Sequence, residues 1–284
     1  MSRQRAAWGA RMRVSIGLGI IALWLFLALF GPMIVQSDPN SQELSQALIP
    51  PVWLDGGQLG HPLGTDQLGR DIAVRIVYGA GNALFLGSIA VGAAALIGIM
   101  LGMLAAEAAG LFDDLIMRLA DIQLSIPFIL LAITMLVLFG GSTGNVLIVL
   151  VLSGWVTYAR VVRGEMQQLK QADFIMAARA TGTRTLHIAW RHYLPNMLGL
   201  IIVVGTLQLA DVILLAAALA FLGVGLGPPV VDWGAMLSDG RDYLTSAWWI
   251  STLPGVAITL VLLGINVVGD WLRDLFDPRH RSQG

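Results

Sequence analysis

The sequence predicts an all-α integral membrane protein with six transmembrane helices. Of its 284 residues, 56% are hydrophobic and 12% are charged, which is about half the charged fraction of an average soluble domain. The mean hydropathy is +0.76, and the apolar residues are collected in runs long enough to cross a bilayer. So few polar groups could not cover the surface of a soluble protein of this size, so a water-soluble fold is excluded.

The six helices follow from the uncharged runs, because a hydrocarbon core about 30 Å thick needs roughly 20 apolar residues in a helix. The run at 122–159 is too long for one helix, and the segment 140–145 (GGSTGN) divides it. These runs are apolar on every side, unlike the half-polar helices of soluble domains. The predicted spans are residues 14–35, 82–106, 115–139, 145–162, 197–221 and 249–270.

The basic residues predict that both termini lie in the cytoplasm. With that orientation, 14 of the 17 basic residues fall on the inner side, and three fall outside, namely Arg70, Arg75 and Arg241. An inner excess of positive charge is the usual orientation signal of membrane proteins. The first span is expected to be an uncleaved anchor, because its apolar run is longer than that of a signal peptide.

The spans and the orientation divide the chain into four regions. They are a cytoplasmic tail at 1–13, a first span with its outer segment at 14–81, a core at 82–271, and a second cytoplasmic tail at 272–284. The core contains an inner loop at 163–196 and a second outer segment at 222–248. An inner loop of this length is unusual between membrane helices and favours a functional role.

The composition argues against several chemistries. The chain has no cysteine, so it forms no disulfide and offers no thiol nucleophile or thiolate ligand. Its one lysine, Lys170, has neither the preceding glycine loop nor the following hydroxyl of a P-loop. We therefore expect that this chain neither hydrolyses ATP by itself nor binds a cofactor. Its net charge of −1 gives no sign of nucleic-acid binding.

Three short motifs have ordinary structural interpretations. Residues 140–144 match the G-x-S-x-G pattern of hydrolases, but Ser142 lies between two membrane helices with no histidine nearby. The spacing of His187 and His192 places their rings about 140° apart on a helix, which disfavours a metal site. Gly98 and Gly102 form a G-x-x-x-G pattern that favours close helix packing, more within this chain than with another subunit.

Charged residues in or near the spans raise two further possibilities. Asp211 is the acidic residue placed deep in a span, one turn after Gln208. Such a carboxylate normally faces a cavity or a partner, so Asp211 either lines a pathway or makes a structural hydrogen bond between helices. Arg118 and Asp121 are spaced for a local ion pair at a cytoplasmic helix end.

The inner loop is predicted to form two short helices. Asp173 can cap a helix at 174–181, and Gly182 can end it in the left-handed conformation. Thr183 can cap a second helix at 184–193, and Pro195 is expected to end that helix before the fifth span begins. The first helix is small and weakly amphipathic, which suits a groove in a protein better than the membrane surface, although an interfacial position remains the alternative.

Four stretches of the sequence resemble the permease subunits of ABC importers, in particular the dipeptide, oligopeptide and nickel branch. The inner loop carries AARATG at 177–182 and RHYLPN at 191–196, which is similar to the E-A-A-x-x-x-G…L-P signature of these permeases. The other stretches lie at 61–71 (HPLGTDQLGRD), at 221–241 (FLG, PP, WGAML and GR), and at 269–279 (GDWLRD and DPR). The resemblance covers nearly the whole chain from about residue 14.

The resemblance implies a type I importer fold and a division of labour. Such a permease pairs with a homologous permease, docks its inner loop on one of two cytoplasmic ATPase subunits, and receives cargo from an external solute-binding protein. Met176 replaces the leading glutamate of the signature, and Asp173 is close enough to substitute for it. The residues expected to couple to the ATPase are Asp173, Met176, Ala177, Ala178, Arg179, Gly182, Leu194 and Pro195.

The resemblance also implies a location and a cargo. The chain is expected in the inner membrane of a bacterium, surrounded by lipid, with ATP and Mg²⁺ bound only by the ATPase subunits. Di- and oligopeptides are the expected cargo, and nickel chelates or other small solutes are alternatives. A secondary transporter coupled to an ion through Asp211 is the rival class, and an intramembrane hydrolase would rest on Ser142 alone.

Overall fold

The computed structural model describes residues 2–108 and 110–276, and within these residues the fold is helical, as predicted. Five helices are long and apolar enough to cross a membrane, and a bent pair of helices supplies a sixth crossing if it is one span. The long helices are α1 (Ser2–Val35), α2 (Ile72–Ala108), α5 (Thr143–Leu169), α8 (Leu194–Phe221) and α10 (Trp249–Phe276).

The predicted single helix at 115–139 is wrong. The structure has α3 (Gly110–Ser125) followed by α4 (Phe128–Phe139), and their axes differ by 88°. Pro127 explains the break, because its ring has no N–H to donate and disfavours a helical conformation at Ile126.

The helices extend beyond the apolar runs used to predict them. α2 begins ten residues before the predicted span, at Ile72, where Asp71 Oδ1 accepts a hydrogen bond from the Val74 N–H at 3.0 Å. This contact satisfies one of the free amides at the helix start. At the other end of the chain, α10 continues to Phe276. Hydropathy alone underestimates both helices because charged residues, Arg75 near the start of α2 and Arg273 near the end of α10, interrupt the apolar runs there.

Glycines let α2 and α5 pack closely, which confirms that the G-x-x-x-G pattern serves packing within the chain. A Cβ atom on Gly98 would lie 2.5 Å from Tyr158 Cβ, and one on Gly102 would lie 2.5 Å from the Ala159 carbonyl oxygen. Gly154 on α5 belongs to the same close contact, since a Cβ there would lie 3.0 Å from Ala94 Cβ. Neither helix could hold this distance with larger residues.

The outer segments form a small cap that includes the short helix α9 (Trp233–Gly240). Trp233 Nε1 donates to the Ile76 carbonyl at 3.0 Å, and Trp249 Nε1 donates to the Thr65 carbonyl at 3.1 Å. Arg70 joins the two segments, because it bonds Asp66 in one and Asp239 in the other at 2.8 Å. These contacts hold the outer ends of the spans together.

Asp232 begins α9, where its carboxylate accepts the Gly234 N–H at 2.7 Å. Burial raises the pKa of Asp232 to about 6, while the backbone donors of Gly234 and Ala235 partly oppose that rise. The cap therefore contains a carboxyl group that begins to take up a proton only slightly below neutral pH.

Candidate functional site

The inner loop contains the predicted first helix, α6 (Asp173–Ala180), and the predicted glycine terminus. Gly182 has a φ of +76°. The Gly182 N–H bonds the Arg179 carbonyl at 3.0 Å, and the Thr183 N–H bonds the Ala178 carbonyl at 3.2 Å. This pair of bonds is the Schellman arrangement, which needs a left-handed residue after the helix. The prediction for Gly182 is confirmed.

The prediction that Asp173 caps this helix is wrong. Ala172 occupies the N-cap position, and Asp173 is the first helical residue. Asp173 is exposed in the first turn, where a negative charge is favourable beside the helix dipole.

The second half of the loop differs from its prediction. A short helix α7 (Thr185–Ile188) leads through a π-turn at Ala189–Tyr193 directly into α8. Arg184 rather than Thr183 is the N-cap, and the Thr183 hydroxyl lies 3.2 Å from that of Thr181. The predicted helix 184–193 therefore has no end of its own.

Pro195 does not separate the second loop helix from the fifth span as predicted, because Thr185–Phe221 runs as one helical segment. Pro195 lies at the start of α8, immediately after the π-turn, beside half-buried Leu194. The wider π-turn shifts the backbone bonding at this point, and a proline is tolerated in the first turn of a helix.

A buried cluster fastens the loop to the inner ends of the spans. Ile175, Ile188, Tyr193 and Met197 are at most 1% exposed and pack with Met166 of α5. Ala178 is half-buried against the same cluster. Ala178, which is among the residues expected to couple to the ATPase, therefore lies on the side of α6 that packs towards the core of this chain.

Ion pairs add a second attachment. Arg179 contacts both carboxylate oxygens of Glu107 at 3.0 Å, and Lys170 contacts the same carboxylate at 3.1 Å. Arg179 also donates to the Tyr193 hydroxyl at 3.3 Å. The guanidinium of Arg179 thus holds the loop to the end of α2, which is a positioning role within this chain.

The opposite side of the loop is apolar and exposed. Phe174 and Met176 are 45% and 51% exposed, and Leu186 and Trp190 are 71% and 66% exposed. Ala177 is exposed with them. We call these five residues the projecting face. Exposed apolar groups of this size on an anchored element indicate a surface that another molecule covers.

The ion pair predicted between Arg118 and Asp121 is not the one observed. Asp121 pairs with Arg160 of α5, and Asp113 forms a two-point pair with Arg163 at 2.5 and 2.6 Å. These pairs tie α3 to the inner half of α5. Sequence spacing favoured the local partner because it contains no information about which helix lies alongside.

Asp211 and Gln208 point in different directions. Gln208 is half-buried, and its Nε2 lies where a Cβ on Gly154 would be only 2.9 Å away. Asp211 is exposed and makes no hydrogen bond or ion pair with any residue that the structure describes. The structure therefore brings Gln208 against α5 and leaves the carboxylate of Asp211 on the surface of the chain at membrane depth.

The other motif residues occupy structural positions. Ser142 is the N-cap of α5, and its hydroxyl accepts the Asn145 N–H at 3.3 Å. His192 packs beside Phe174, with ring centres 6.1 Å apart. Neither arrangement places a nucleophile or a metal ligand in a catalytic geometry.

Comparisons with known proteins agree with this arrangement. A sequence model of the family described as "Binding-protein-dependent transport system inner membrane component" matches residues 98–282. The chain is 41% identical to a di/tripeptide transport system permease protein of Pseudomonas aeruginosa, over 94% of this chain and 88% of that protein. It is 42% identical to a dipeptide transport system permease protein of Alkalihalophilus pseudofirmus, over 94% and 86%. It is 36% identical to an oligopeptide transport system permease protein of Bacillus subtilis, over 94% and 86%.

Proposed function

Because the chain belongs to the family of binding-protein-dependent transport system inner membrane components, we propose that it is a permease subunit of an ATP-driven importer of di- and oligopeptides. It is a transport component with the all-α fold of a type I ABC importer permease, and it is not an enzyme. The names of its relatives support the peptide cargo. The observation that carries the mechanism is the anchored inner loop with its exposed apolar projecting face.

Membership of the family implies partners on both sides of the membrane, an ATPase and a solute-binding protein. We propose two ATPase subunits, which bind ATP and Mg²⁺, and one homologous permease that completes the translocation pathway. The projecting face docks on the ATPase. Closure of the ATPase subunits on ATP then moves the loop, and the pathway changes the side to which it opens because nucleotide binds the two states with different affinity.

Asp173, Met176 and Ala177 lie on the exposed side of α6 and are the proposed contacts to the ATPase. Ala178, Arg179 and Gly182 act from within the chain, since they pack, pair and terminate the helix. Leu194 and Pro195 transmit the movement to α8, with which the loop is continuous.

The family is one of inner membrane components, and the chain has several helices of membrane length. We propose that both termini lie in the bacterial cytoplasm. The absence of native cysteine allows single reporters at Ser37→Cys, Thr245→Cys and Ser282→Cys, the last of which lies outside the described residues. An impermeant thiol reagent added outside is expected to label the first two. External labelling of Ser282→Cys would contradict this topology.

Asp211 and Gln208 are the proposed polar residues of the pathway. Asp211→Asn keeps the size of the side chain and removes its charge. In the proposed pathway this carboxylate bonds the cargo. A hydrogen bond to a charged group contributes about 1.5–3 kcal/mol, so its loss is expected to lower uptake about tenfold or more. Membrane levels of the complex are expected to remain normal, since the carboxylate has no described partner to lose. Normal uptake by this variant would show that the charge is not used in transport.

The direct test of the proposed function is uptake of a labelled dipeptide by the complex reconstituted in vesicles. Uptake is expected to require ATP and the solute-binding protein, and to be indifferent to ionophores. Uptake that follows an ion gradient without ATP would support the ion-coupled alternative. Competition by a nickel chelate, without competition by peptides, would reassign the cargo.

A further inference from the structure

The break between α3 and α4 lies beside the middle of the membrane crossing predicted for α5, residues 145–162. Gln123, just before the break, donates to the Leu152 carbonyl at 2.6 Å and accepts from Trp155 Nε1 at 2.8 Å. Leu152 and Trp155 are close to the midpoint of the membrane crossing of α5, which begins at Thr143. A break at this depth lies within the apolar crossing of α5, about one turn beyond the exposed Asp121–Arg160 ion pair.

The break leaves backbone groups without partners. The first backbone bonds of α4 run from Leu130 and Leu131 to the Pro127 carbonyl, so they do not close the gap to α3. Among the described residues, no donor reaches the carbonyls of 124–126, and no acceptor reaches the N–H groups of Phe128 and Ile129. The Ser125 hydroxyl bonds only the Ile122 carbonyl, at 2.7 Å.

Lipid cannot cover such a break. Hydrocarbon offers no hydrogen bond, so irregular backbone at membrane depth occurs only where it is buried in protein or lines a water-filled cavity. In this chain residues 124–127 are all exposed. The break therefore faces something other than the chain itself and other than lipid tails.

The break shares its depth with the two polar residues proposed for the pathway. Gln208 lies against Gly154, between the two α5 residues that contact Gln123. Asp211 follows one turn nearer the outer surface on α8. Polar side chains on α8 and free backbone groups at the break therefore lie at a similar depth along the helices.

We propose that the break at 124–129 borders the translocation pathway, where its free carbonyl and N–H groups bind the peptide bonds of the cargo. This inference rests on the proposed function. Peptide bonds offer the complementary donors and acceptors whatever their side chains are, whereas exposed Leu124 and Ile126 can contact apolar side chains without selecting one. Discontinuous helices serve polar substrates in this way at the midplane of other transport proteins.

The first test uses Ile126→Cys as the one thiol of the chain, in the assembled complex in vesicles. A charged thiol reagent is expected to modify it roughly a hundredfold faster than Ala132→Cys, because charge is excluded from hydrocarbon and from packed protein to about that extent. Ala132 lies on the buried side of α4 and is the matched control. If a membrane-soluble reagent modified Ile126→Cys and the charged reagent did not, the proposal would be overturned.

The second test asks whether the cargo backbone occupies the break. Trialanine delivered by the binding protein is expected to slow modification of Ile126→Cys severalfold, and trialanine methylated on its backbone nitrogens is expected to protect less. Equal protection by both peptides, or none by either, would overturn the proposal. If the unmodified complex takes up trialanine with ATP, these failures contradict this inference alone. If it takes up no peptide, the proposed function fails as well.

Discussion

Replacing Gly182 with valine is expected to abolish most ATP-driven uptake while the membrane spans remain folded. The φ of +76° is strained for a β-branched residue by about 1–3 kcal/mol. No described atom lies within 4 Å of a Cβ built there, so the effect is conformational and not steric. The end of α6 would shift, and the association of the ATPase is expected to weaken by about fivefold to a hundredfold, as this strain implies. Co-purification of the ATPase and uptake in vesicles measure the two effects.

Gly182→Asn is the matched control for that substitution. Asparagine adopts positive φ more readily than other residues with a side chain, so this variant is expected to retain most of the association and most of the uptake. Equal loss in Gly182→Asn and Gly182→Val would mean that the left-handed conformation is not what matters at this position. Full activity of both would remove the loop from the coupling mechanism.

A bulky residue at Ala177 is expected to block docking without harming the chain. Ala177 is exposed on the projecting face, so Ala177→Trp has room in this subunit and collides only with a partner. Co-purification of the ATPase and ATP-driven uptake are expected to fall together, while thermal stability of the isolated chain stays unchanged.

Ala178→Trp separates docking from folding. Ala178 packs on the cluster that contains Ile175 and Tyr193, and overpacking a core costs about 1–3 kcal/mol. This variant is expected to lower the stability and the membrane level of the chain itself. If Ala177→Trp instead destabilised the chain and Ala178→Trp did not, the assignment of the two sides of α6 would be reversed.

Local signals made part of this structure predictable from the sequence. The uncharged runs gave the positions of the spans because burial in lipid requires apolar residues on every side of a helix. Gly182 was predictable because it follows a helix-forming segment and few residues other than glycine fit a left-handed terminus. The exposed pair Leu186 and Trp190 was also recognisable in the sequence, since residues four apart share a helix face.

Contacts between distant residues were not predictable. Glu107 contacts Arg179, 72 positions away in the sequence. Asp121 pairs with Arg160 and not with the neighbour three residues before it. Only the packing of α2, α3 and α5 brings these groups together. Pro127 was visible in the sequence but ambiguous, since membrane helices tolerate proline when other groups satisfy the freed backbone. Likewise, the π-turn at Ala189–Tyr193 decided that Pro195 begins a helix instead of ending one.

The central claim is that the projecting face of the inner loop contacts the ATPase, and cross-linking tests it most directly. Ala177→Cys gives the chain one thiol, to which a short photo-activated cross-linker can be attached in the assembled complex. Irradiation is expected to join this chain to the ATPase subunit in high yield, and the same linker at Leu59→Cys in the exposed outer segment is expected not to. Capture of lipid alone from Ala177→Cys, with an intact complex that still transports, would contradict the claim.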